Sequence, residues 1–150
     1  MATETAARIP REAREILRKR SFAHVATLLL DGSPRVTRAW VDLEGDVIVI
    51  SMAEGQMMPG NLRNDPRVAI AAVDPDNPDD GVIVRGRVSE MHHDGAGDAV
   101  DAMAKSYLDA DEYPFGDAGE HRVRVHIEPE RVSMVPSEHG RRHLERLSLR

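Results

Sequence analysis

The chain contains no cysteine in its 150 residues. That excludes disulfide bridges, thiolate-bound metal and a cysteine nucleophile. Aromatic residues make up only 3% of it, and Trp40 is the one tryptophan. No apolar run approaches the roughly 20 residues that cross a bilayer, so no membrane partner is expected. The N-terminal stretch MATETAARIPREAREILRKR has no apolar signal region, which points to a cytoplasmic protein. Positive charge is not in excess: the formal net charge is −6, which argues against a general nucleic-acid binder. The patterns GxSxG, HExxH and GxxxxGK followed by Ser or Thr are all absent, so hydrolase, zinc-peptidase and P-loop chemistry have no support.

What is present fits a soluble globular protein, with 41% hydrophobic and 31% charged residues. The length suits one domain, residues 1–135, followed by a basic tail, 136–150. Pro10 stands where a first helical turn tolerates it, and Ala13, Ile16 and Leu17 follow at helical spacing. Phe22–Leu30, Arg35–Leu43 and Val47–Ile50 read as three strands joined by the turns Asp31–Pro34 and Glu44–Asp46, an antiparallel meander. Arg67–Val73 and Val82–Met91 are two further strands around an acidic loop, Asp74–Gly81. Gly86 inside the second marks a bulge or a close backbone approach. Ala96, Ala99, Val100, Met103, Ala104, Tyr107 and Leu108 form one face of a helix. In His121–Met134, Val123, Val125 and Ile127 alternate with Arg122, Arg124 and His126, which predicts one buried and one wet face. The whole suggests a mainly β protein with a few helices, a small antiparallel barrel.

The segment Ser51–Arg67, SMAEGQMMPGNLRNDPR, carries the most functional information. A strand that breaks into small residues and then a helix start can present backbone N–H groups to a phosphate. Yet Gln56-Met57-Met58-Pro59-Gly60 carries no positive charge. Arg38 is either an anion contact in a cleft or an exposed strand residue in an ion pair. Trp40 packs either in the core or against a ligand. Met57-Met58 either lines an adaptable pocket or fills the core. Arg63 either ends a helix or reaches a phosphate. Adjacent His92 and His93 on a strand point to opposite faces, as do His121 and His126, so no metal site is expected. The tail arginines Arg141, Arg142, Arg146 and Arg150 read as a solvated tail or a partner-subunit contact.

An ordered set of segments resembles one family: FAHVAT (22–27), DGSP (31–34), VTRAWVD (36–42), AEG (53–55), NLRNDPRV (61–68), VDPDNP (73–78), VRGRV (84–88) and YPF (113–115). Together they resemble the pyridoxamine 5'-phosphate oxidase-like, FMN-binding split-barrel family. Within it, the chain is most similar to the deazaflavin (F420)-dependent reductases of actinobacteria. The resemblance covers roughly residues 10–135. It implies an antiparallel split β-barrel and a homodimer with cofactor sites at the subunit interface. It also implies FMN or F420 as cofactor, with F420 favoured by branch, or in some members haem or another tetrapyrrole.

By the same resemblance, Thr37, Arg38, Ala39 and Trp40 lie along the cofactor ring. Ser51, Met52 and Ala53 approach its ribityl–phosphate portion, and Gln56 and Met58 stand at the phosphate. The positions of Gln56, Met58 and Gly60 are often basic in relatives, with a lysine at the Met58 position, and here all three are uncharged. Charge-assisted hydrogen bonds are worth about 1.5–3 kcal/mol each, so two fewer weaken binding about a hundredfold or more. Arg38 stands where proline or a small residue is expected and can restore charge from another side. Asp79 and Asp80 occupy positions where relatives carry an aromatic and a basic residue. Two functions follow. One is an oxidoreductase passing hydride between reduced F420 or FMN and a small unsaturated substrate, with no assigned catalytic side chain. The other is a barrel that has lost its flavin and binds a hydrophobic ligand or tetrapyrrole, or works without a cofactor.

Overall fold

The computed structural model describes residues 7–19, 21–115, 121–136, 142 and 145–147. Along the chain run α1 (Arg11–Arg18), β1 (Ala23–Leu28), β2 (Pro34–Ala39), β3 (Asp42–Glu44) and β4 (Val47–Ala53). These are followed by α2 (Met57–Asn64), β5 (Arg67–Val73), β6 (Gly81–His92), α3 (Ala96–Leu108) and β7 (Arg122–Val135). The strands form one sheet in the order β2-β1-β5-β6-β7-β4-β3, every neighbouring pair antiparallel.

Strand order and chain connectivity together impose a barrel. The two edge strands, β2 and β3, are consecutive and separated only by Trp40 and Val41. Three Cα steps span at most about 11 Å, whereas six strand spacings across a flat sheet amount to about 29 Å. The sheet therefore curls until its edges lie side by side. This corrects the expected single strand over Arg35–Leu43 and the expected meander. β2 pairs with β1, β3 pairs with β4, and the two pairs sit at opposite ends of the sheet order.

The break at Trp40–Val41 has a physical cause. The Trp40 ring stacks on Tyr107 of α3, with centroids 5.0 Å apart and planes at 21°, and Val41 is buried in the core. The Tyr107 hydroxyl accepts a hydrogen bond from Val41 N–H (3.3 Å) and donates to Ser21 C=O (2.9 Å). The crossing residue thus finds its backbone partner on a side chain rather than on a neighbouring strand, as a buried amide requires. Burial holds the Tyr107 phenol above its ordinary pKa, so it remains a donor.

The barrel interior is aliphatic: Val25, Ile48, Ile50, Ile70, Val82, Val84, Val123, Val125 and Ile127 are all essentially inaccessible. Ala13, Ile16 and Leu17 of α1 are buried in the same cluster. That helix is tied to the β3–β4 turn by Arg14, which bonds Gly45 C=O (2.6 Å) and the Asp46 carboxylate. Its end is tied to the acidic loop by Lys19, 2.9 Å from both oxygens of Asp74. Gly86 sits at one of two register shifts of β6 against β7, and a Cβ there would lie 2.5 Å from Glu128 C=O. The expected bulge and the close approach therefore coincide. The expected helix over residues 96–108 is α3. The face of β7 expected to be wet is not: Arg122 and Arg124 are half-buried and His126 is buried, with α3 packed against β4 and β7 and the His92 ring against His126.

Of the expected tail, Arg142 and Arg146 are described, and Arg141 and Arg150 lie outside the described residues. Among the described residues no helix is long and apolar enough to cross a membrane.

Tyr107→Phe tests the crossing. It keeps the ring stack and leaves Val41 N–H buried without its partner, which costs about 1–3 kcal/mol. Thermal unfolding should show a Tm several degrees lower, at about 2–4 °C per kcal/mol for a chain of this size.

Candidate functional site

A cleft of about 460 Å³ opens beside the crossing. Its walls come from the end of β2, the end of β4, the start of α2, α3, the loop after α3 and the first residue of β7. Thr37, Arg38, Ala39, Trp40, Ser51, Met52, Gln56 and Met58 all line it. Ala53 does not; it lies at the end of β4 opposite Arg122. The ends of β2 and β4, the start of α2, and the distant α3 and Arg122 are thereby brought to one place.

The five aromatic residues of the chain, one Trp, two Tyr and two Phe, form a single connected cluster at this cleft. Phe22 meets Tyr107 edge-on at 6.1 Å, Tyr107 stacks on Trp40, Trp40 meets Tyr113 at 5.6 Å, and Tyr113 meets Phe115 at 5.7 Å. All but Tyr107 line the cleft. Phe22 and Phe115 are 46% and 70% exposed, a large apolar surface to leave in water unless something covers it. Met52, Met58 and Met103 are buried lining residues. Met58 belongs to the hydrophobic core and also lines the cleft, so the two readings of that position hold together.

Arg38 and Arg122 are the charged residues among the described lining of the cleft. Arg38 lies over the Phe22 ring, 4.5 Å from its centroid. Arg122 lies over the Tyr113 ring at 4.8 Å, donates from Nε to Ser51 Oγ (3.2 Å) and from a terminal nitrogen to Ser51 C=O (2.9 Å). Ser51 Oγ in turn donates to Ala96 C=O (2.9 Å) at the start of α3. Ser51 therefore orients the Arg122 guanidinium, and each of the two cations lies over an aromatic ring.

The α2 N-terminus faces the same space. Gln56 is its N-cap and makes no side-chain capping bond. Of the first four N–H groups that a helix leaves without an intrahelical acceptor, that of Gln56 donates to Ala53 C=O (3.1 Å), and Pro59 has none. Those of Met57 and Met58 remain to meet an anion. Arg63 is turned elsewhere, forming a two-point ion pair with Glu54. Glu54 also receives His93 Nε2 at 2.8 Å. That triad joins the β4–α2 turn to α2 and to the β6–α3 turn. Asp79 and Asp80 do not line the cleft.

Arg122, Tyr113, Phe115 and Phe22 were not singled out as site residues in the sequence. Arg122 became visible only through the pairing of β7 with β4, which sets it opposite Ala53. The scarcity of aromatics was the available signal for the other three. A second groove, of about 570 Å³, is lined by Arg67, Arg85, Arg87 and Arg131 with Glu130. It is larger but has no aromatic wall, and Glu130 pairs with Arg87 at 3.6 Å.

The family profile described as pyridoxamine 5'-phosphate oxidase matches residues 9–136. The chain belongs to that family. Among solved structures, an F420 reductase is 26% identical, with a TM-score of 0.73 over 83% of this chain and 98% of that one. The General Stress Protein 26 of Bacillus anthracis is 16% identical, with a TM-score of 0.62 over 85% and 93%. A heme binding protein from Mycobacterium smegmatis is 24% identical, with a TM-score of 0.63 over 89% and 56%. The latter two likenesses concern the fold of the family alone. No curated protein matches the chain.

The Glu54 triad has a pH signature. The Arg63 hydrogen bond, aided by His93 and opposed by partial burial, holds the Glu54 carboxyl at about 2, against an ordinary 4.5. A folded-state value below the unfolded one stabilises the protein above the unfolded value and loses that contribution as pH falls toward the folded one. Glu54→Gln should therefore flatten the loss of stability between about pH 4.5 and 2, read as the denaturant midpoint against pH, and change little of its slope above pH 5.

Proposed function

We propose that the aromatic cleft binds a flavin-type cofactor, F420 or FMN, and that the protein is a hydride-transferring oxidoreductase acting on a small unsaturated substrate. The observation that carries this reading is the convergence at one cleft of an aromatic wall, two arginines lying over aromatic rings and an uncapped helix N-terminus. These residues fit a planar, anionic group. Trp40, Tyr113 and Phe115 offer faces and edges to a fused ring and exclude water from it. Arg38 and Arg122 and the first N–H groups of α2 offer donors to phosphate or carboxylate oxygens. A bound cofactor of this class supplies or accepts the hydride, and the protein supplies binding, orientation and electrostatics. The likeness to an F420 reductase favours the deazaflavin.

The same reading extends to a homodimer in which a second copy covers the exposed rim. Val36 (62% exposed) on β2 and Leu30 (85%) in the β1–β2 turn leave apolar surface on the β1–β2 hairpin for such a contact. It also extends to a cytoplasmic site of action.

Two observations favour a second reading, a binding protein for a tetrapyrrole or other hydrophobic ligand. The buried methionines suit irregular apolar ligands, and one structural neighbour is a heme binding protein. Against it, no histidine is among the described residues lining the cleft, where Tyr113 and methionines are the available axial ligands.

Trp40 is the only tryptophan and lines the cleft, so its fluorescence reports occupancy directly. Titration with F420 or FMN should quench it saturably, and Arg122→Gln should raise Kd by about tenfold or more. The charge expected at Met58 cannot be restored there without burying it. Gln56 is exposed, and Gln56→Lys should tighten a phosphorylated flavin. If neither F420 nor FMN binds at high micromolar concentration, the oxidoreductase reading fails. Quenching by haemin alone would establish the second.

A further inference from the structure

A second group of chemically capable side chains lies away from the cleft lining, where β6 crosses its second register shift. Glu90 of β6 sits directly opposite His126 of β7. His92 follows two residues after Glu90 and so shares its face of the strand. His92 Nε2 is 2.9 Å from a Glu90 carboxylate oxygen, and the His92 and His126 rings meet edge to face at 5.6 Å. One ligand atom from each of Glu90, His92 and His126 lies within 4.8 Å of the other two. His93, the neighbour of His92, is turned the other way to Glu54.

Arg124 Nε lies 2.8 Å from His126 Nε2. An arginine only donates, so His126 Nε2 is the acceptor in this contact. His126 is 9% exposed and is therefore a buried imidazole presenting a lone pair to a cation. At present the cation is a guanidinium, which also reaches Glu44 at 3.4 Å.

We propose that Glu90, His92 and His126 form a binding site for a divalent transition-metal ion, zinc being the best-suited probe, that clips β6 to β7 at the bulge. Two imidazoles and a carboxylate are a known donor set for zinc, with a fourth position left for water. The absence of any sulfur ligand and the presence of two nitrogens disfavour both thiophilic ions and the oxygen-seeking magnesium and calcium. Tetrahedral bonds near 2.0–2.1 Å place ligand atoms about 3.4 Å apart. Reaching that from a spread of at most 4.8 Å requires only side-chain rotation at His92 and Glu90, which are exposed and free to turn. A metal taken through His126 Nε2 would displace Arg124, which makes Arg124 a competitor at that nitrogen. His126 stands four residues from Arg122 on the same face of β7, about 13 Å along the strand. The clip is therefore separate from the cleft and independent of what the cleft binds.

Zinc titration of the full chain by calorimetry, with Tm as a second readout, tests this. One ion per chain should bind and raise Tm. His92→Ala and Glu90→Gln, both at exposed positions, should each weaken binding about tenfold or more and abolish the rise in Tm. Arg124→Gln should tighten binding by about tenfold, since it removes a competing cation. His93→Ala should leave binding unchanged. The proposal is overturned if zinc does not bind in the micromolar range, if His92→Ala binds as the wild type does, or if His93→Ala is the variant that loses the ion.

Discussion

The two-residue crossing at Trp40–Val41 is the constraint on which fold and site both depend. It joins the two edges of a seven-stranded sheet, so the sheet has to close. It leaves two residues outside any ladder, so a hydrogen-bond partner must come from elsewhere, and Tyr107 supplies it. Once Tyr107 is fixed there, α3 is held against the crossing and the Trp40 ring has a surface to stack on. The cleft is the space that this arrangement leaves between the crossing, the end of β4 and α3. Closure of the barrel and formation of the aromatic wall are thus one event.

Electrostatics shape the rest of the cleft. A lysine beside the α2 N-terminus would place a mobile point charge at a phosphate. This chain instead buries Met58 and brings arginine from β2 and from β7. Each guanidinium lies against an aromatic face, and Arg122 is further held by both oxygens of Ser51. A charge held this way is pre-oriented and loses less freedom on binding an anion. Arg63, the nearest cation on α2, is committed to Glu54 and serves the shape of the turn.

Much of this was legible in the sequence because local chemistry wrote it. The helical spacing from Ala96 to Leu108, the turn residues Gly32 and Gly45 with their positive φ, and the interior Gly86 each express a backbone requirement that one residue type meets. The ordered motifs identified the family and gathered eight of nine proposed residues at one cleft. What stayed hidden depends on pairing across the sheet. Arg35–Leu43 has the composition of one strand, and only the stacking of Trp40 on a residue 67 positions later breaks it. Arg122, Arg124 and His126 look solvent-facing by alternation, and only tertiary packing, by α3 and by His92 of the neighbouring strand, covers that face. His92 looks solitary beside His93 because its partner, His126, lies on the next strand.

The central claim is that the functional site is the cleft built on the crossing. Hydrogen–deuterium exchange of the full chain, with and without saturating F420 or FMN, tests it most directly. Ligand-dependent protection is expected in three segments only, residues 37–40, 51–58 and 122–124. Protection confined instead to the arginine groove around residues 85–87 and 131, or none in the three segments at saturation, would contradict it.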